Sequence, residues 1–379
     1  MRYLSLFSGI EAASAAWIPL GWECVGVAEI EKFPCAVLAH HYPGVPNLGD
    51  ITKITQEQIA ALGHIDLVVG GFPCQDLSVA GKRAGLTNDN DGSATQSGLF
   101  FTAMRVVGWT GARWTVIENV PGLFSSKQGA DFASVVGALA GCEFGVPDKG
   151  WGKIGAAAGP DGLVEWCVLD AQWFGVPQRR RRVFLVRDTG DWHSRPPVLF
   201  ERHSLQGHPA PSKEKREVTS TLTKEGTGVS RTGHHEDGWY LTAPKPSRMV
   251  AFGEYSDDGT ASTMKARDYK DATDLVAQPI CLMDQGGSVM NIENDMTGTL
   301  RRETHGHEPI VMQAMAVRRL TPTECERLQG FPDNYTDIKN KNKQTPDGPR
   351  YKALGNSMAV PVMRWIGERI QKVEALNVS

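Results

Sequence analysis

Short apolar runs alternate with amphipathic stretches through the first half of the chain. Tyr3–Phe7, Cys24–Glu29, Ile65–Val69, Trp114–Glu118 and Arg182–Val186 are brief and mostly apolar, the pattern of strands buried on both faces. Between them, Ala12–Ile18, Pro34–His41, Gln56–Leu62 and Ala130–Ala140 read as helices. This alternation predicts a doubly wound α/β domain. The pattern stops near Arg187. Residues 188–315 are rich in Gly, Thr, Ser, Asp and Pro, more irregular chain than a simple connection needs. They are expected to form a smaller inserted domain, mostly β or irregular. From Arg318 to Ala375 the chain turns helical and basic again. The expected divisions are therefore 1–187, 188–315 and 316–379.

A weak similarity recurs inside the insertion. Thr219–Leu222, Ala261–Met264 and Thr297–Leu300 share a Thr/Ser-rich pattern, each followed by basic residues: Lys224, then Lys265 and Arg267, then Arg301 and Arg302. Small β units presenting such residues would suit a DNA-facing module.

Composition adds mostly exclusions. The 379 residues are 41% apolar and 22% charged, as in an ordinary globular protein. No run reaches the roughly 18 apolar residues of a membrane span. Glu11 interrupts an opening that otherwise has some signal-peptide character, so a cytoplasmic location is expected. Seven scattered cysteines without a CxxC pair argue against a disulfide framework and a zinc site. His234, His235, His305 and His307 lack partners at ligand spacing, so no metal is expected. A net charge of −3 confines nucleic-acid contact to local patches, of which Arg179–Arg182 is the clearest.

Candidate chemistry begins at GGFPCQDLS, Gly70–Ser78, which puts Cys74 just past the end of an expected parallel strand. Ligands of open α/β sheets sit at such ends, and a thiolate is a strong nucleophile. A lone cysteine is more often an inert buried thiol, but Gly70, Gly71 and Pro73 before it and Gln75 after it favour a reactive one. LSLFSG, Leu4–Gly9, reads as strand, glycine turn and helix, a layout for a nucleotide-like ligand. Glu29, about 20 residues on, can take both hydroxyls of a ribose, and Asp50 falls at another strand end. No P-loop lysine and no full GxGxxG is present, which disfavours nucleotide hydrolysis and dinucleotides. Glu118 ends an expected buried strand, where desolvation favours its protonated form.

GGFPCQ resembles the Pro-Cys-Gln motif of the cytosine-5 DNA methyltransferases. TVIENVPG (Thr115–Gly122) resembles the family's Glu-Asn-Val motif, and FGVPQRRRRVFLV (Phe174–Val186) its Gln-x-Arg-x-Arg motif. RRLTPTECERLQGFPDNY (Arg318–Tyr335) and KALGNSMAVPV (Lys352–Val362) resemble the two C-terminal motifs. The resemblance covers residues 3–186 and 316–367 and leaves the middle unmatched. It implies a Rossmann-like methyltransferase sheet that binds S-adenosyl-L-methionine, with the insertion as a target-recognition domain. Cys74 would attack the flipped cytosine and Glu118 act at ring nitrogen 3, with Arg180 and Arg182 holding base and charge. Phe7, Gly9, Glu29, Ile30, Asp50, Ile51, Pro73 and Asn356 would bind the cofactor. Gln75, Asn119 and Gln178 would position the substrate. Gln178, Arg180 and Arg182 are expected on one face of a strand, with Arg179 and Arg181 facing the other way. Lys265, Arg267, Arg301 and Arg302 are candidate DNA contacts.

The first turn departs from the family's commonest form: Ser5 stands for an acidic residue, and Glu11-Ala12 for a glycine pair. The expected partner is double-stranded DNA, and the expected state a monomer. The target site, the host (bacterium or phage) and a separately encoded restriction endonuclease stay open. Two alternatives stay open as well, an RNA cytosine-5 methyltransferase of the same fold and a catalytically idle DNA-binding regulator. A cysteine hydrolase does not fit, because no His is placed in a strand-end motif as its base.

Overall fold

The computed structural model describes residues 1–72, 96–200, 246–251, 254–256, 274–284, 290–294, 310–338 and 345–376, the part between 246 and 319 through its strands alone. The chain divides into two compact units. One is Met1–Ser212 with Thr263–Lys270 and Pro322–Ser379; the other is Lys213–Ser262 with Asp271–Thr321.

The first unit is built on seven strands: β1 (Arg2–Leu6), β2 (Glu23–Ala28), β3 (Leu67–Gly70), β4 (Trp114–Asn119), β5 (Ile154–Gly159), β6 (Gly162–Asp170) and β7 (Arg181–Asp188). Their order is β2-β1-β3-β4-β7-β6-β5. β1 to β4 run parallel, β7 is antiparallel to β4, and β6 and β5 continue antiparallel. The expected α/β sheet is present, and the chain reverses direction across it between β1 and β3. In such sheets a crevice opens at that switch point, beyond the carboxyl ends of the strands.

Eight helices are described: α1 (Ala12–Trp17), α2 (Lys32–His41), α3 (Gln56–Ala61), α4 (Gln96–Thr110), α5 (Ala130–Ala140), α6 (Pro322–Gln329), α7 (Asp347–Asn356) and α8 (Val360–Leu376). None is long and apolar enough to cross a membrane. Local chemistry sets several ends. Thr55 and Gln58 form a capping box at the start of α3. Gly141 closes α5 in a left-handed conformation, where a Cβ would strike the Asp161 carboxylate.

The pleat separates two faces. Leu4 and Leu6 join a core with Val68, Ile59, Val106 and Val107, while Phe100, Ile117, Phe132 and Leu139 extend it towards β6. Each such side chain contributes roughly 1.5–3 kcal/mol by leaving water. On the opposite face Tyr3 meets the Trp17 ring edge-on at 5.2 Å, and the Trp17 indole donates to the Met363 carbonyl of α8 (2.6 Å). The C-terminal helix thus returns to the first strand.

Three elements of this unit were not expected, α4, β5 and β6, the last an almost wholly buried strand. α4 supplies Phe100 to one part of the core and Ala103, Val106 and Val107 to another; a helix apolar over so much of its surface shows little stripe. β5 (IGAAAG) has poor strand formers. It exists because Gly155 leaves room for Trp166, whose ring would lie 2.2 Å from any Cβ there.

The second unit carries a five-stranded antiparallel sheet of β8 (Pro246–Ala251), β9 (Glu254–Ser256), β10 (Asp274–Asp284), β11 (Met290–Asn294) and β12 (Ile310–Arg319). β10 pairs with β12, and β8 and β11 pair with its two ends. Pro279 sits where the β10–β12 register shifts. A residue without an N–H is tolerated at such an irregularity.

Candidate active site at the strand ends

The sheet register gathers the predicted residues at one edge. Leu6 pairs with Gly70 and Gly70 with Ile117, so Phe7, Gly71 and Glu118 emerge side by side. Gly71 runs close against the carboxylate: a Cβ there would lie 3.1 Å from Glu118 Oε2 and 3.3 Å from the Met358 methyl. A larger residue there would have to push these two side chains aside by a few tenths of an ångström. Cys74, Pro73 and Gln75 lie outside the described residues, as do Lys265, Arg267, Arg301, Arg302 and the three Thr/Ser-rich repeats.

Glu118 is nearly buried at the end of β4, and its Oε1 forms an ion pair with Arg182 Nε at 2.9 Å. Its neighbour Asn119 works on the backbone. The Asn119 amide donates to the Phe72 carbonyl (3.1 Å), while its Oδ1 accepts from the Val120 N–H (2.8 Å). The chain leading into Pro73 is thereby tied to β4.

The Gln178–Arg182 motif differs from its expected form. β7 begins at Arg181, so Arg182 alone of Gln178, Arg180 and Arg182 lies in a strand. Before it, Gln178 N–H donates to Val176 O (2.9 Å) and Arg180 N–H to Gln178 O (3.0 Å), two successive three-residue turns. These turns keep every second side chain on one side. Gln178 and Arg180 are buried, and Arg179 and Arg181 are exposed.

Arg180 Nη2 donates to the carbonyls of Gly355 (3.1 Å) and Ser357 (2.6 Å). Burial first and the Arg182 guanidinium second pull its pKa down to about 9, which leaves it charged at neutral pH. The C-terminal end of α7 is therefore held by a cation under the strand ends, beside Met358 and Gly71. Asn356, the last residue of that helix, is exposed.

A further carboxylate, not singled out in the sequence, fixes this turn. Asp170 ends β6, and its Oδ1 accepts from the Arg180 N–H (3.0 Å) while Oδ2 accepts from the Gln172 amide (2.8 Å). An Asp followed two residues later by Gln, just past a strand, is the local signal that could have marked it.

The other half of the site surrounds the first turn. Phe7 and Gly9 have left-handed φ of 53° and 55°, and a Cβ on Gly9 would meet nothing within 4 Å. Glu29 Oε2 accepts from Gly9 N–H (2.8 Å), and Oε1 from Ile30 (2.8 Å) and Glu31 N–H (2.7 Å). Asn47, also unforeseen, braces that carboxylate's own backbone: its Oδ1 accepts from Glu29 N–H and its amide donates to Glu29 O. Ile30 is 69% exposed. Asp50 accepts the amide and hydroxyl of Thr52 through Oδ1, and these bonds lower its pKa. Ile51 is buried in the core with Leu4 and Leu6.

An oriented carboxylate, an exposed aliphatic side chain and open space over Gly9 fit a nucleoside with free ribose hydroxyls and a flat base. S-adenosyl-L-methionine has that shape, and Glu29, Ile30, Phe7 and Gly9 are residues that could hold it.

Comparisons with known proteins agree with this geometry. A family model described as C-5 cytosine-specific DNA methylase matches residues 1–372. A DNA N-6-adenine-methyltransferase of Escherichia phage P1 is 36% identical over 469 aligned positions, which cover 98% of this chain and 61% of that protein. The chain thus spans about three fifths of that relative's length. Type II methyltransferase M.MspI of Moraxella sp is 26% identical, covering 97% of this chain and 70% of that one. M.HpaII of Haemophilus parainfluenzae is 25% identical, with 97% and 88% covered. Among solved structures, Dnmt2 methyltransferase of S. pombe superposes with a TM-score of 0.57 at 16% identity, covering 98% of this chain and 99% of that one. That likeness is one of fold.

Proposed function

Because the chain belongs to the C-5 cytosine-specific DNA methylase family, whose methyl donor is S-adenosyl-L-methionine, we propose that it methylates carbon 5 of a cytosine in duplex DNA through a covalent adduct on Cys74. The observation that carries this reading is the Glu118–Arg182 pair. It stands against Gly71, three residues before Cys74, at the same sheet edge as the cofactor turn.

A stacked base cannot reach a strand-end thiolate, so the cytosine must leave the helix. The Cys74 thiolate then adds to carbon 6, and the ring's electron pair moves towards carbon 5. Glu118 holds a proton at ring nitrogen 3, where the developing negative charge would otherwise reside. Arg182 fixes the orientation of Glu118 and adds positive charge beside it. The bound cofactor supplies an electrophilic methyl group. Loss of the carbon 5 proton to a base then expels the Cys74 thiolate and restores the aromatic ring. Arg180 and Asp170 act through position: one holds the end of α7 and the other the turn that presents Arg182.

The insertion, residues 188–315, is the proposed target-recognition domain. Phosphate contacts would orient the duplex and base-edge contacts select the site. The Type II relatives make a separately encoded endonuclease the companion to look for.

The phage P1 relative's name favours a second reading, transfer to the exocyclic amine of adenine. Two fifths of that protein lie outside the aligned part, so its named activity need not reside in the part that this chain matches. An exocyclic amine is itself a nucleophile and requires no thiolate, which makes the Pro73-Cys74-Gln75 peptide superfluous to that chemistry. Bisulfite sequencing of DNA from a methylase-free host expressing the chain distinguishes the readings. Protected cytosines that vanish in Cys74→Ser, with cofactor binding retained, are the expected result. Methyladenine without methylcytosine, or full activity in Cys74→Ser, would overturn it.

A further inference from the structure

The two departures in the first turn meet in space. Glu11 occupies a glycine-like conformation, φ 65° and ψ 60°, which is strained for an L-residue. Its side chain is nevertheless turned inward, and the residue is 1% exposed. Oε1 accepts from the Ser14 N–H (3.2 Å) and hydroxyl (3.1 Å), and Ser14 Oγ lies 2.7 Å from the Tyr3 hydroxyl. The Ser5 hydroxyl faces the same carboxyl. Oε2 is buried without a well-formed hydrogen bond among the described residues. A carboxylate missing from position 5 of β1 is thus supplied from position 11, against Ser5 itself. Strain at a binding turn persists where the surroundings require it.

We propose that Glu11 is a positioning residue for the cofactor, ionised when the cationic methyl donor is bound and protonated when it is not, so that donor binding releases a proton from this carboxyl. The proposal rests on assigning the Phe7–Glu11 turn to S-adenosyl-L-methionine.

The electrostatics support it. Burial raises the Glu11 pKa to about 7, against the pull of Ser5 and Ser14, and the Glu29 charge adds to the rise. The titratable groups facing Glu11 are Tyr3 on β1, Cys24 on β2, Tyr42 after α2 and Tyr335 in the C-terminal segment, together with Glu29. Burial raises the three tyrosines and the thiol, so they stay neutral at pH 7. Glu29 is then the one charge in the set, and the set holds no cation. A donor held at Glu29 brings a sulfonium into the region over which Glu29 already influences Glu11, and favours the ionised carboxyl.

Calorimetric titration of the full chain, in two buffers of different ionisation enthalpy, measures the proton directly. At pH 7 the wild type should release on the order of half a proton more than Glu11→Gln on binding S-adenosyl-L-methionine. The donor's own amino group contributes equally to both and cancels. S-adenosylhomocysteine, which lacks the sulfonium charge, should release less. Between pH 8 and pH 6 the wild-type affinity for the donor should fall by about tenfold relative to Glu11→Gln. The pair Ser5→Asp with Glu11→Gly, which returns the carboxyl to the strand, should regain the affinity that Glu11→Gly alone loses. Equal proton release by wild type and Glu11→Gln overturns the proposal and leaves the cofactor assignment standing. So does a folded double variant that binds no better than Glu11→Gly. A wild type that binds neither ligand overturns both.

Discussion

Asn119 illustrates what one side chain decides. Its amide and carbonyl satisfy Phe72 O and Val120 N–H, one strand apart. No other described residue supplies those bonds, and an alanine would leave the buried Phe72 carbonyl without its partner. Asn119→Ala should therefore let the peptide before Pro73 drift. A displacement of about 1 Å costs on the order of 100-fold in rate. Single-turnover methylation should slow by that scale, while donor affinity measured by calorimetry stays within about twofold. An unchanged rate would remove Asn119 from the machinery. Legibility at this scale was uneven. Glu118 and Arg182, singled out by two separate motifs, form one ion pair, whereas the carbonyl partners of Arg180 lie 175 and 177 residues away and have no sequence signal.

Among the elements, β7 is anchored at the end opposite the site. Asp188 is buried and accepts from Arg113 Nε (2.8 Å) and Arg195 Nε (2.6 Å), and Arg195 Nη1 also meets Glu165 on β6 (2.7 Å). The segment after β7 is thus tied to β4, β6 and β7. Burial pushes the Asp188 pKa up, but the Arg113, Gly190 and Arg195 hydrogen bonds outweigh it and hold it below the usual carboxylate range. Removing one partner from a buried pair costs about 3–5 kcal/mol. Asp188→Asn should lose stability on that scale at pH 7, read from denaturant midpoints. Since the folded pKa is depressed, the wild-type advantage is full above about pH 4, the unfolded value, and is lost as pH falls through the folded one. A gap between the proteins that persisted unchanged to pH 2 would mean that another group carries the effect. The strands and helices expected from periodicity are present within a few residues at each end. α4, β5 and β6 were missed: the first is apolar on too many sides, the second is made largely of Gly and Ala, and the third interrupts its apolar run with Glu165.

For the molecule as a whole, the division of labour between catalysis and target choice is the open matter. Residues that read base edges change which sequence is chosen, whereas phosphate contacts weaken all sequences alike. Exchanging residues 190–315 for the matching segment of a Type II relative should move the methylated site and keep methyl transfer within the family's chemistry. Bisulfite sequencing reads the outcome. An active chimaera that still marks the original site would place specificity outside the insertion.

Some of this was already determined along the chain. Strand and helix alternate with periods set by backbone geometry, so the α/β class and the strand-end position of Glu118 follow from local pattern. The family was legible because its motifs are short and contiguous. Folding alone decided the partners. Arg180 meets Gly355 and Ser357, Tyr335 donates to Ile10 O, and Glu11 fills the space beside Ser5. These contacts join residues that no periodicity relates. Their energy comes from burying polar groups with a partner rather than without one, and which groups are buried together is known only once the sheet has closed.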